Sequence, residues 1–95
     1  CPEAIDERKA ALRLYQEIEL KRAQLNVENA DKALQKIEGE YEQMKKTVED
    51  LKSKGIATAE QLKQLTLTRV KRDSLKTIFD VECAKIKYIN KRMKE

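Results

Sequence analysis

Side chains able to do chemistry are scarce in this chain. Its 95 residues hold 17 carboxylates, two cysteines (Cys1 and Cys83) and no histidine. A structural or catalytic metal needs several soft or imidazole ligands at short spacing, and two distant cysteines without a CxxC pair or a histidine do not supply them. Nucleophilic catalysis needs a Ser, Thr or Cys beside a base, and the hydroxyls here are scattered along helix-patterned sequence with no imidazole among them. The carboxylates could in principle pair for acid–base work, but nearly all stand at helical spacing from a lysine or arginine and face water. No catalytic residue, metal ligand or cofactor is assigned. Cys83, to one side of an apolar stripe, reads as an inert, partly buried thiol. The expectation is a protein that acts by assembly, not an enzyme.

The elements that position these residues are helices. Glycine occurs twice, at Gly39 and Gly55, and proline once, at Pro2, while 40% of residues are charged and 40% hydrophobic. That balance suits long helices or a coiled coil better than a thick globular core. No apolar run approaches the roughly 20 residues that cross a bilayer as a helix, and no signal-peptide core is present. Position 1 is Cys and not Met, so the chain reads either as a processed product, with Cys1 a candidate lipid-bearing N-terminus, or as a piece of something longer.

Apolar residues recur in alternating steps of three and four at Leu20, Ala23, Val27, Ala30, Leu34, Ile37, Tyr41, Met44, Val48 and Leu51. That is a heptad seam. Glu28/Lys32, Glu42/Lys46 and Asp50/Lys54 stand between its stripes as i,i+4 pairs that add a few tenths of a kcal/mol each. The same period returns at Leu62, Leu65, Thr68, Arg72, Leu75, Phe79, Glu82, Ile86, Ile89 and Met93. If the chain reverses near Ile56, residues whose numbers sum to 112 or 113 face each other along both seams. The fold class expected is therefore all-α: a single domain over residues 1–95, a long antiparallel two-helix coiled-coil hairpin. Helix one covers about 3–54, the tip 55–58 and helix two about 59–94.

The turn has its own chemistry. Gly55 is placed as the left-handed residue that ends helix one, with Ile56 touching back on Leu51 in a Schellman motif. Thr58 to Gln61 reads T-x-x-Q, a capping box that starts helix two. Two features exceed a simple hairpin. Helix one outruns its partner by about sixteen residues, whose apolar positions Ala4, Ala11, Leu14 and Ile18 follow a shifted stripe toward Leu25; a separate third helix over residues 3–19, broken near 25–29, is the alternative. Helix two also carries a second stripe at Leu67, Val70, Ser74, Thr77, Val81, Ala84 and Tyr88, either a broad buried face or a surface for lateral packing. Arg72 and Glu82 at seam positions either set the register or reach out to water, the latter being the expectation. Gly39 reads as a tolerated surface glycine, with a kink as the alternative.

Charge is uneven: residues 1–60 carry 11 basic and 13 acidic side chains, and residues 61–95 carry 10 basic and 4 acidic. A basic helix can meet nucleic acid. Its charges fall around most of the helix, however, and only four aromatics exist to stack on bases, so a solvated coiled-coil exterior is expected and nucleic-acid binding is not.

The reversal YEQMKKTVEDLKSKGIATAEQLKQL, residues 41–65, resembles the α-helical hairpin of periplasmic adaptor proteins, the membrane fusion proteins of tripartite efflux and type I secretion systems. In that family one helix ends in a Leu, a short Gly-containing turn follows, and a Ser or Thr opens the returning helix; Leu51, Gly55 and Thr58 match. The family's basic residue about a turn before the Leu falls on Thr47, with Lys45 and Lys46 beside it, and its alanine-rich returning helix is thin here. The resemblance implies a periplasmic protein, lipid-anchored if Cys1 is modified. Its tip, Leu51, Gly55, Ile56, Ala57 and Thr58, would dock on an outer-membrane channel of the TolC type. Copies would pack laterally through Leu67, Val70, Val81, Ala84 and Tyr88 into a homo-oligomer. Helices of a TolC-like channel resemble the same reversal and are the second choice. A cytoplasmic coiled-coil scaffold or interaction protein, with nucleic acid on its basic second helix as one version, is the reading from another class.

Overall fold

The structure, a computed structural model, describes residues 2–95; Cys1, and with it the alternative of a lipid-bearing N-terminus, lies outside the described residues. Two helices make the molecule, α1 (Pro2–Ser53) and α2 (Ala59–Met93), joined by five residues. Fifty-two residues of α1 at 1.5 Å each make about 78 Å, and the molecule measures 77 × 17 × 16 Å. Helix α1 alone therefore sets the long dimension, and α2 lies against its C-terminal two thirds. The alternative of a separate helix over residues 3–19 is overturned: α1 runs without interruption through residues 25–29 and through Gly39. Asn26 and Asn29 have only modestly lower helix propensity than Ala, and Val27 between them is held in the seam.

Every expected seam position of α1, Leu20 to Leu51, is buried or half-buried, with Ala23, Ala30, Tyr41 and Val48 the deepest. In α2 the same holds from Leu65 to Met93. The register agrees as well: Thr68 meets Met44 and the Arg72 guanidinium lies 4.5 Å from the centre of the Tyr41 ring, pairs whose numbers sum to 112 and 113. Leu62 is the exception, exposed at 36%. Gln61 takes its place because its side chain is drawn back to the Thr58 amide, which seats it beside Leu51 in the groove near the tip. One residue on, a 100° turn of the helix carries Leu62 toward water.

Three polar residues interrupt the α2 seam, and each is accommodated differently. The Thr68 hydroxyl donates to the Gln64 carbonyl at 2.8 Å, within its own helix. Arg72 covers the buried Tyr41 ring and donates from Nε and Nη2 to Asp73 Oδ1 at 3.1 and 3.0 Å. Those hydrogen bonds raise its pKa above the ordinary arginine value against a desolvation that lowers it, so it stays a cation throughout the physiological range. Glu82, expected to reach water, does not: it is 9% exposed. A carboxylate two methylenes from the backbone is too short to clear the seam, and the small Ala30 and Ala33 alongside it leave the space it fills. Its Oε1 accepts from Lys85 Nζ at 3.2 Å, while Oε2 is buried without a partner.

Beyond Met93 the first turns of α1 stand alone. Arg13 Nη1 donates to the Met93 carbonyl at 2.9 Å, satisfying one of the unpaired carbonyls at the α2 C-terminus and placing a cation at the negative end of its dipole. Of the helix-supporting pairs, Glu28/Lys32 and Asp50/Lys54 form at 3.7 and 3.0 Å. Among the described residues no ion pair joins Glu42 and Lys46, as befits exposed side chains whose rotamer entropy rivals the Coulomb gain.

Gly39 is neither a kink nor a close contact, since a Cβ built there meets nothing within 4 Å. Gly39→Ala is accordingly expected to stabilise the hairpin by about 0.4–1 kcal/mol through helix propensity and a less disordered unfolded chain, read as a rise in the urea midpoint with an unchanged slope.

Candidate functional site: the tip and the lateral face

The tip is fixed by backbone bonds. The Gly55 amide donates to the Lys52 carbonyl at 3.0 Å and the Ile56 amide to the Leu51 carbonyl at 2.9 Å, the two bonds of a Schellman motif with Gly55 at φ +70°. Lys54 adds a salt bridge to Asp50 at 3.0 Å. On the far side of the turn, Thr58 Oγ1 accepts from the Gln61 amide at 3.2 Å and Gln61 Oε1 accepts from the Thr58 amide at 2.9 Å, a complete capping box. Only Ile56 and Ala57 stand between the two caps, and both of their ends are pinned.

That frame decides what each tip residue presents. Ile56 holds 61% of its surface in water. Ala57 is half-buried, and Thr58 is occupied as a cap. Leu51 is half-buried and turned inward, lining a groove of about 560 Å³ with Met44, Val48 and Gln61. Of the five tip residues singled out in the sequence, Ile56 is thus the large apolar side chain left exposed, and Leu51, Gly55 and Thr58 shape the turn that carries it.

The second stripe of α2 lies open. Leu67, Val70, Val81 and Tyr88 are each about half exposed or more, and Ala84 is exposed with them; the alternative of a face buried within the chain is overturned. A two-helix hairpin has one mutual interface, so a stripe turned away from it has nothing to pack on. Sequence reasoning overlooked Leu12 and Tyr15, which join Tyr88 and Ile89 in a groove of about 330 Å³ where α2 ends on α1. The signal was available: Leu12, Tyr15 and Glu19 are at helical spacing beside the seam, but the polar Gln16 between them hides the pattern. On the outer side of α1, Leu14, Ile18 and Leu25 are exposed along the shifted stripe.

Among the described residues no three His, Cys, Asp or Glu side chains are grouped so as to hold a metal ion. Cys83 is half-buried, in line with a packing role. No helix is long and apolar enough to cross a membrane.

The fold thus defines the chain as an all-α antiparallel helical hairpin with a rigid, blunt tip and uncovered apolar stripes. No protein-family model, curated protein or solved structure matches it.

Proposed function

We propose that the chain is a non-enzymatic assembly module that docks on a protein partner through its tip, in the manner of the hairpin of a periplasmic adaptor meeting an outer-membrane channel. The observation that carries this reading is the exposed Ile56 side chain, held between a Schellman motif and a capping box three residues apart. A large apolar side chain on a backbone that cannot move away loses little entropy on binding, and such pre-organised anchors dominate interface energies. The resemblance of residues 41–65 supplies the channel as partner and export as the process. The lateral stripe of α2 supports assembly with further copies.

Ile56→Glu tests the reading. Burying an unpaired carboxylate at an apolar contact is expected to weaken docking on a TolC-type channel at least thirtyfold, about 2 kcal/mol or more, and to stop export, while circular dichroism retains the helicity of the parent. Unchanged docking and export in this variant would refute the tip as the contact.

The second reading, a coiled-coil scaffold with no docking tip, is favoured by the apolar surface left exposed along the length of both helices. It predicts that Ile56→Glu changes nothing and that lateral substitutions abolish all partner binding.

A further inference from the structure

One face of the hairpin is a furrow between the two helices, opening near the tip beside Val48 and Gln64, in the middle beside Ala33 and Ile78, and at the base beside Tyr15 and Tyr88. Its two edges are seven-residue rows that flank the seam. The α1 edge runs Glu19, Asn26, Ala33, Glu40, and the α2 edge runs Lys71, Ile78, Lys85, Arg92. One edge carries acids and the other bases. Leu12, Tyr15, Leu67, Ile78 and Tyr88 stand along this face with about half or more of their surface in water.

We infer that a second copy of this chain covers the face, related to the first by a two-fold axis parallel to the long dimension, so that both tips point the same way. This symmetry lays α1 of each copy over α2 of the other at the same level. Glu40 then opposes the partner's Lys71, Glu19 opposes the partner's Arg92, and Ala33 packs on the partner's Ile78. A two-fold perpendicular to the long dimension and centred on the same level stacks α2 on α2 instead, bringing Lys71 toward the partner's Lys85, a like-charge contact that disfavours it. The parallel arrangement also brings some like charges to one level, Asp50 and Glu60 at the tip end and Arg22 and Arg92 at the base. Glu19 and Arg92 at present hold Arg22 and Glu95 at 3.2 Å in local i,i+3 pairs open to solvent, contacts weak enough to exchange.

Area and a buried charge agree with this occupant. The 35 residues of α2 span about 52 Å, and the hairpin is 17 Å wide. The footprint is about 900 Å² per copy, against the ~800 Å² of a standard specific interface. The floor of the furrow also contains Glu82, whose Oε2 is buried without a partner beside Asn26 and Asn29. In the parallel dimer the partner's Lys85 lies over Asn26 and adds a cation at that level.

The inference is independent of the tip's partner. Its test uses the whole chain with Cys1→Ser and Cys83→Ser, carrying either Ala33→Cys or Ile78→Cys. On mixing and bridging with a short thiol cross-linker, a covalent dimer is expected from the mixture of the two variants, with each alone remaining uncross-linked. Self-cross-linking of each variant alone would overturn the parallel axis, and a chain that sediments as a monomer at every concentration would overturn the dimer. Glu40→Lys and Lys71→Glu are each expected to weaken self-association about tenfold, and the double variant to restore it; no recovery refutes the pairing. Because neither site is at the tip, a parent chain that docks through its tip yet forms no dimer refutes this inference alone, and Ile56→Glu that abolishes docking but leaves the dimer identifies the tip separately.

Discussion

Glu82→Leu is expected to stabilise the hairpin by about 1–3 kcal/mol. The carboxylate occupies a seam position at 9% exposure, with one oxygen bonded to Lys85 and the other without a partner. Leaving a buried acceptor unsatisfied costs about 1–3 kcal/mol, and exchanging a buried ion pair for a well-packed hydrophobe is often neutral or stabilising. Leucine adds apolar area next to Ala30, Ala33 and Leu75, which already line the site. Its released partner, the Lys85 side chain, is 59% exposed and returns to water at little cost. For a domain of this size each kcal/mol moves the thermal midpoint by about 4–8 °C. The comparison is made at one fixed protein concentration, since self-association shifts the midpoint by mass action. A variant no more stable than the parent would mean that the second oxygen is satisfied by water or by another chain, and the orphaned acceptor would cease to explain anything about this seam.

Glu82 also marks where the sequence was legible and where it was not. Periodicity identified the seam because an antiparallel pair buries one row of residues per helix and little else: ten positions of α1 and nine of α2 fall where the three-and-four spacing puts them. The turn was equally legible, since Schellman and capping-box bonds are local and their residue types are read within eleven positions, Leu51 to Gln61. What a polar residue does at a seam position is not local. Thr68 bonds its own helix, Arg72 lies across Tyr41, and Glu82 is enclosed because the opposing helix offers alanines there. Those outcomes depend on which side chain sits across the interface and on how long each is, and heptad spacing carries neither. The same limit hid the groove at Leu12 and Tyr15, which exists because α2 ends beside them, where Arg13 fastens the Met93 carbonyl.

With only five buried side chains among the described residues, and none of them less than 2% exposed, the hairpin holds its shape through a thin seam and a well-made turn. The candidate docking tip and the seam are thereby coupled. The caps at residues 51–61 that aim Ile56 also set the register, since slipping one helix by a residue would turn its seam row away from its partner. A tip variant that merely removes side-chain contacts and one that strains the turn should therefore behave differently, and Gly55 separates the two.

Gly55→Val is expected to destabilise the hairpin by about 2 kcal/mol and Gly55→Asn by less than half of that. A Cβ built at Gly55 meets nothing within 4 Å, so the site has open space for the branch point of either side chain. The whole effect comes from holding φ at +70°, a region that costs an L residue roughly 1–2 kcal/mol, most for a β-branched side chain and least for asparagine. Urea unfolding of the two variants measures the difference directly, with equal slopes showing that the unfolded state is the same. If Val and Asn prove equally costly, loss rests on contacts at the tip and not on backbone conformation, and the Schellman account of the reversal fails. If Val is costly and Asn is not, docking assays on Gly55→Asn follow naturally: a variant that keeps the turn and leaves Ile56 untouched should dock as the parent does, whereas Gly55→Val should lose affinity in proportion to the fraction of chains whose turn is no longer formed.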